Sequence, residues 1–600
     1  MKNIKIKING QEIICSPDKN IYKAAKENGI FIPGLCGHPD FPAKGNCRVC
    51  VVEIKGRKNL VTSCSTKVEA GMEIVTDSER VKKARNLNIE LIFAEHIEKC
   101  PTCIWRFNCP LLNFADRYKI EITRFPDRKG KRDIYKFANA VEIDGTQCID
   151  CRNCLDSCSM LQKINYLELK GKGHNQEIVP ASDKKVDCIY CGQCAVHCPV
   201  GAAQEQTHWD MAEKAIEDGK EKPGIFSKIL SAAPSRNQGK SAPADRAGHK
   251  SKIIIAQFAP SIRVSIGEEF GLPHGKIVTG QAIAALKKLG FDYVFDVNFG
   301  ADVTTMVEAE ELLERIKNKA VMPMMTSCCP AWVKYVEFYC PELIPNLTTS
   351  RSPHIHSGAI IKTFWAQKMN INPKNIIVVS VMPCTAKKFE ASRKELKVDG
   401  QWPVDYVITT REFAWMIKKN NIDFAKLKSA PADDLLGEYS GAAAIYGASG
   451  GVMESALRTA QFLACKGKRK GSLCDARIDY KDVRGIAGIK EAVVDVAGKK
   501  LRVAVVNGIG NIEPVLKRLN DYDYIEVMAC PGGCIGGGGQ PIPTTPEIRQ
   551  KRMDALYKLD KSMKTRKAHE NKGVLEALKW LKGQGKLEHK ILHTNYKKRN

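Results

Sequence analysis

The sequence predicts a multidomain chain of α+β and α/β character: cysteine-rich modules, then an α/β domain, then a helical tail. Three observations carry this. Six hundred residues exceed what one hydrophobic core can organise. The 24 cysteines fall largely into regular spacings. From Ile253 onward, apolar runs such as Ile253–Ala256 and Ile376–Val381 alternate with amphipathic helical stretches, as buried parallel strands do.

Residues Met1–Gly10 alternate Ile4, Ile6 and Ile8 with lysines and turn at Asn9-Gly10, which reads as a β-hairpin rather than a signal peptide. No apolar run approaches the ~18 residues of a membrane span. A soluble, cytoplasmic chain is expected, whose thiols serve metals rather than disulfides. The formal charge of 93 − 67 = +26 counts every cysteine as neutral. Thiolate-bound clusters lower it, the lysines are spread along the chain, and no aromatic-interleaved basic motif points to nucleic acid. The basicity reads as a solvated surface suited to an acidic electron carrier.

Residues 1–78 hold Cys36, Cys47, Cys50 and Cys64 as C-x10-C-x2-C-x13-C among short alternating strands. Four thiolates suit a [2Fe–2S] cluster, with structural zinc as the alternative. Residues 79–125 begin with helical periodicity over Val81–Phe93 and continue as His96-x3-Cys100-x2-Cys103-x5-Cys109. One imidazole and three thiolates suit a [4Fe–4S] cluster of raised potential, and zinc again uses the same donors. Residues 138–215 repeat one motif: Cys148, Cys151, Cys154 and Cys158, then Cys188, Cys191, Cys194 and Cys198. In the two-cluster ferredoxin pattern the fourth cysteine of each run crosses over. Cys198 thus joins Cys148, Cys151 and Cys154, and Cys158 joins Cys188, Cys191 and Cys194.

Residues 221–252 are rich in Lys, Ser, Ala, Pro and Gly and read as a flexible linker. In residues 253–545, three stretches carry five more cysteines: Thr326–Pro330 with Cys328 and Cys329, Met382–Glu390 with Cys384, and Ala529–Cys534 with Cys530 and Cys534. Four thiolates hold a cubane, leaving one of the Cys328–Cys329 pair for other work. Val503–Val506 followed by Asn507-Gly508-Ile509-Gly510 imitates a dinucleotide-binding turn, but Glu513 stands where the third glycine belongs. A plain strand–turn–helix is expected there. Cys15, Cys340, Cys465 and Cys474 match no motif and read as incidental thiols. Residues 546–600 form the tail, with helices expected over Ile548–Ser562 and Val574–Leu581 and histidines that read as structural.

The three stretches resemble the signatures of the [FeFe]-hydrogenase active site, and the likeness covers about Ile253–Pro541. The N-terminal modules resemble those of larger members of that family and of the large iron–sulfur subunit of respiratory complex I. The resemblance implies a β-grasp ferredoxin-like domain, a one-His/three-Cys domain, a 2[4Fe–4S] ferredoxin domain, an H-cluster domain and a small-subunit-type tail. It implies one [2Fe–2S] cluster, three accessory [4Fe–4S] clusters and an H-cluster. In the last, Cys329, Cys384, Cys530 and Cys534 would hold a cubane, and Cys534 would bridge it to a di-iron unit carrying CO, cyanide and a dithiolate.

By the same resemblance, Lys387 donates to one cyanide, and Ser261 with the Ala259-Pro260 backbone contacts the other. Met382 and Met528 give soft walls. Cys328 passes protons to the cofactor, fed by Glu308, Glu311, Arg315 and Thr348. Glu308, Glu311 and Arg315 lie at i, i+3 and i+7 and share a helical face. Blander readings exist: Thr305-x-x-Glu308 as a capping box and Glu311/Arg315 as a surface pair. His354 and Tyr446 depart from the family's usual glutamine and phenylalanine. Expected partners are ferredoxin or another small carrier, or NAD(P)H/flavin-binding subunits, besides the proteins that mature the di-iron unit. A cytosolic iron–sulfur assembly factor, an H₂ sensor and an electron-transfer subunit are rival functions. They respectively lack the pocket residues, need a signalling domain, or leave the second half of the chain unused.

Overall fold

The computed structural model describes the chain apart from residues 1–2, 98–99, 102, 128, 130–131, 221–251, 434–435, 466–483, 486 and 600. The expected linker, except Lys252, and Cys474 therefore lie outside the described residues. Two compact units are present: Met1–Cys188 with Gly192–Gln206 and Ile542–Pro546, and Ile189–Cys191 with Thr207–Pro541 and Glu547–Asn600.

In the first unit, Asn9 (φ 52°) and Gly10 (φ 82°) both take left-handed backbone, as the tight turn of a two-residue hairpin requires. They join β1 (Ile4–Ile8) to β2 (Gln11–Cys15) in antiparallel register. Alternation then buries Ile6, Ile8, Ile13 and Cys15 on one face, against the helix Ile21–Glu27. With β3 (Val51–Ile54), β4 (Val61–Thr62) and β5 (Glu73–Val75), the sheet runs β2-β1-β5-β3-β4, the mixed β-grasp arrangement expected. Ser78 caps the helix Glu79–Ala94 by accepting from Val81 N, and His96 follows that helix closely. Strands β6 (Ile134–Phe137), β7 (Val141–Asp144), β8 (Leu167–Lys170), β9 (Glu177–Pro180) and β10 (Ala203–Glu205) frame the repeated cysteine runs. The repeat is structural as well. Each run passes through a left-handed residue, Arg152 (φ 65°) or Gly192 (φ 69°), into a short helix, Asn153–Asp156 or Gln193–Val196.

The second unit is built on two sheets. Strands β11 (Ile253–Phe258), β12 (Tyr293–Asp296), β14 (Ile376–Met382) and β15 (Tyr406–Thr409) pair in parallel in the order β12-β11-β14-β15. The two continuous apolar runs are its central strands, aligned from Ile253↔Ile376 to Phe258↔Val381. The other sheet runs β13-β18-β17-β16, from β13 (Met324–Met325), β16 (Ile489–Val496), β17 (Lys499–Asn507) and β18 (Tyr524–Met528). β17 leads through Gly508 into a 3-10 turn and the short helix Glu513–Leu516, the plain strand–turn–helix expected.

The tail forms helices Pro546–Ser562 and Lys572–Lys582, close to the expected spans, and a third, Lys586–Leu592, that the sequence did not announce. Two expectations fail. The helix carrying Glu308 spans Val297–Asn318 and is capped by Asp296, which accepts from Asn298 N. Thr305 and Glu308 therefore sit mid-helix and form no capping box. Cys465 is disulfide-bonded rather than an incidental thiol, whereas Cys15 and Cys340 are free. Among the described residues, no helix is long and apolar enough to cross a membrane.

Candidate active site

Each active-site signature is the segment that follows a parallel strand. Ala259-Pro260 follows β11, Pro383-Cys384 follows β14 directly after its last residue Met382, Thr326–Cys329 follows β13, and Ala529-Cys530 follows β18. Open α/β sheets expose such carboxyl ends as crevices for ligands. Here they converge: Cys328, Cys329, Cys384, Cys530 and Cys534 line one cavity with Pro260, His354, Met382, Lys387, Tyr446 and Met528. Burial pushes the Cys384 and Cys534 thiols up to about 12, so loading a cluster there must expel protons. Gly533 (φ +84°) keeps the last loop close, because a Cβ there would stand 2.8 Å from Ser449 N.

The donor set fits the group the family would place there. Five thiols face one cavity, and soft methionine walls surround them. Ser261 is fully buried, and its Oγ has no hydrogen-bond partner among the described residues. A buried hydroxyl is costly without an acceptor, which a cyanide nitrogen would supply.

Lys387 carries the cavity's fixed charge. Its Nζ donates to the Cys328 carbonyl at 2.9 Å and to Glu390 Oε2 at 2.8 Å. His354 Nε2 reaches the same Glu390 oxygen at 2.7 Å, and its Nδ1 faces Ser380 Oγ at 3.4 Å. Burial would raise the Glu390 carboxyl, but Lys387 and His354 outweigh it and hold it at about 2. His354 itself is pushed down by burial and by Lys387, so the neutral ring donates Nε2–H to the carboxylate. Tyr446, the other departure, turns its hydroxyl to Thr305 Oγ1 at 2.9 Å, which also meets Ser455 Oγ at 2.7 Å.

The outer relay residues are joined. Thr348 Oγ1 donates to Glu311 Oε2 at 2.6 Å, and Arg315 reaches Glu311 Oε1 from Nε at 3.0 Å and from its terminal nitrogen at 2.6 Å. The side chains of Arg315 and Glu311 are only 12% and 13% exposed, which argues against an ordinary surface pair. Glu308 is fully buried, and the Tyr524 hydroxyl faces its carboxyl too loosely to make a strict hydrogen bond. Burial, with Glu311 and Glu526 adding repulsion and Tyr524 opposing them, raises the Glu308 carboxyl well above the usual range and favours the protonated form. Glu390 closes the Met382–Glu390 stretch one helical turn from Lys387 but was given no role from sequence, and Thr349, which donates to Glu311 from Oγ1 at 3.0 Å, belongs to no motif.

In the first unit, the thiols form a chain of hydrogen-bonding contacts, Cys47 to Cys36 to Cys64 to Cys50. His96 Nδ1 faces the Gln147 carbonyl at 2.8 Å, and burial pushes the ring down to about 4. The neutral ring thus donates from Nδ1, and its Nε2 lone pair, oriented by that carbonyl contact, is of the kind a metal would take. Cys100, Cys103 and Cys109 interact electrostatically. Cys154 interacts electrostatically with Cys148, Cys151, Cys198 and Cys194, and Cys194 with Cys158 and Cys198, so the two cysteine runs lie side by side. Cys188 belongs to this unit, and Cys191 to the short segment grouped with the second.

Family comparisons agree with this geometry. Residues 252–538 match the C-terminal domain of the iron-only hydrogenase large subunit, and 546–599 match the iron hydrogenase small subunit. Residues 1–79 match a 2Fe-2S cluster binding domain, 85–124 an NADH-ubiquinone oxidoreductase-G iron-sulfur region, and 147–202 a 4Fe-4S dicluster domain. The chain belongs to the iron-only hydrogenase family and is a hydrogenase with iron–sulfur domains ahead of its catalytic domain. It is 37% identical to the NADP-reducing hydrogenase subunit HndD of Solidesulfovibrio fructosivorans over 100% of both chains. Its identity to iron hydrogenase 1 of Clostridium pasteurianum is 39%, covering 98% of this chain and 99% of the relative. An apo structure of the [FeFe]-hydrogenase HydA1 from Chlamydomonas reinhardtii matches with TM-score 0.54 and 34% identity, over 65% of this chain and 99% of that one.

Proposed function

We propose that this chain catalyses 2H⁺ + 2e⁻ ⇌ H₂ at an H-cluster held by Cys329, Cys384, Cys530 and Cys534. Electrons reach it through one [2Fe–2S] and three accessory [4Fe–4S] clusters on the N-terminal cysteines and His96. The observation that carries this reading is the gathering of five thiols around one cavity, one more than a cubane needs, beside a buried lysine at the ends of parallel strands. When bound, the cofactor would supply redox-active iron at which protons and electrons combine.

The surrounding residues have distinct tasks. Lys387, fixed by Glu390, offers a cation and a donor to a diatomic ligand, and Ser261 offers a second donor. Pro260, Met382 and Met528 exclude water. Cys328 hands protons in and out; the protonated Glu308 stands behind it, and Glu311 with Thr348 behind that. Arg315 orients Glu311.

Likeness to a component of an NADP-reducing hydrogenase supports partner subunits that bind flavin and NAD(P), with ferredoxin as the alternative carrier. Co-purification with or without a flavoprotein separates the two. Thiolate clusters suit the reducing cytoplasm, and the di-iron unit calls for maturation proteins. Anaerobic infrared spectroscopy of matured protein tests the assignment. CO and cyanide bands together with H₂ evolution from reduced viologen are expected; lack of the bands, or no evolution, removes the reading.

A further inference from the structure

The hydrogen bonds on the outer side of Glu311 run into the C-terminal tail. Thr349 Oγ1 lies 3.0 Å from Glu311 Oε2 and 2.8 Å from His593 Nδ1. His593 follows the helix Lys586–Leu592, and its ring stacks on His589 with centroids 5.0 Å apart at 21°. Its backbone is pinned: Arg351 Nε donates to the His593 carbonyl at 2.9 Å, and Thr594 N donates to the Thr349 carbonyl at 2.8 Å. His593 is half-buried and His589 exposed, and both line a surface cleft with Glu310, Glu311, Glu314, Arg315 and Glu588.

We infer that His593 is the group through which protons enter and leave the relay, with His589 beside it at the mouth of the cleft. This rests on the reading that Glu311 belongs to the relay. Arg315 cannot fill the role, because a guanidinium keeps its protons at any working pH. It is also committed to Glu311 and to the Val321, Pro345, Asn346 and Leu347 carbonyls. An imidazole takes up and releases protons near neutrality.

The chemistry of the wire is directional. The ionised Glu311 only accepts, so the Thr349 hydroxyl donates to it and must itself accept from His593 Nδ1–H. A proton arriving at His593 Nε2 releases the Nδ1 proton to Thr349 Oγ1, whose own proton passes to Glu311 Oε2. One proton enters and one is delivered, the ring ends neutral with its proton on Nε2, and reversal exports protons during H₂ oxidation. Burial, then His589 and Arg351, push His593 below its ordinary range, opposed by Glu311 and Glu588. The ring is therefore neutral and ready to accept at pH 7.

The test uses matured holoenzyme and viologen-driven H₂ production across pH. His593→Leu and, separately, Thr349→Val should lower turnover by about tenfold or more at alkaline pH, and less in acid, where protons are abundant. This is a smaller loss than the ~10²–10⁴ of a direct acid–base group, because water in an open cleft competes. Iron content and the infrared bands should match wild type, and added imidazole should rescue His593→Leu but not Thr349→Val. Wild-type pH profiles in both variants, with Glu311→Gln still impaired, would overturn the inference alone. Full activity in Glu311→Gln would overturn the relay reading as well.

Discussion

Lys387 and Glu390 are both buried at the active-site cavity, and neither charge would persist there without the other. Glu390→Gln leaves the ammonium without its counter-charge, and a loss of about 3–5 kcal/mol in stability of the second unit is expected, measurable by anaerobic thermal unfolding. His354→Gln keeps a donor for Glu390 and should cost under about 1 kcal/mol while retaining iron. A neighbouring histidine gives a pH signature. His356 receives the Thr304 hydroxyl at Nδ1 (2.8 Å) and donates Nε2–H to the Leu592 carbonyl (3.0 Å), and burial pushes it down to about 3. The unfolded chain binds a proton at His356 below pH 6.5, whereas the folded chain does not until about 3. Its stabilisation is thus complete above 6.5 and is lost as pH falls, by about 1.4 kcal/mol per unit. His356→Gln should flatten the stability–pH slope below 6.5 by that amount, which denaturant titrations at several pH values would measure.

Strands and loops set where those residues stand. The two apolar runs and the Asn9-Gly10 turn were legible because burial on both faces and left-handed backbone each leave a local mark in the sequence. Cysteine spacings were legible because a cluster fixes its ligands at short separations. Of the partners that tune them, Glu390 stands three residues after Lys387 on one helix and was within reach of the sequence, whereas Thr349 and His593 come from separate elements that only folding brings to Glu311. The alternative of a helix start at Thr305 and Glu308 fails because the helix begins eight residues before Thr305, at Val297 behind the cap Asp296. The loop between Cys530 and Cys534 offers a test at this scale. Gly533→Ala would strain a φ of +84° and drive a Cβ to 2.8 Å from Ser449 N. Iron analysis should show loss confined to the catalytic cluster, and full iron content would contradict the packing argument.

The whole second unit depends on its tail. Arg458 holds Asp560 through two hydrogen bonds of 2.9 Å, and Asn571 donates to Asp302 at 2.9 Å on the helix that also bears Glu308. The sequence showed the tail's first two helices, but not that Asp560 of the tail joins Glu454 in pairing with a buried arginine 102 residues before Asp560. Asp560→Asn should cost about 3–5 kcal/mol and leave the tail protease-sensitive. Function at the scale of the molecule turns on iron in one cavity. Anomalous diffraction at the iron edge, from anaerobic crystals of matured protein, should place iron within bonding distance of Cys329, Cys384, Cys530 and Cys534, with further iron beyond Cys534. Iron confined to the N-terminal cysteine runs, with none among these four sulfurs, would contradict that assignment.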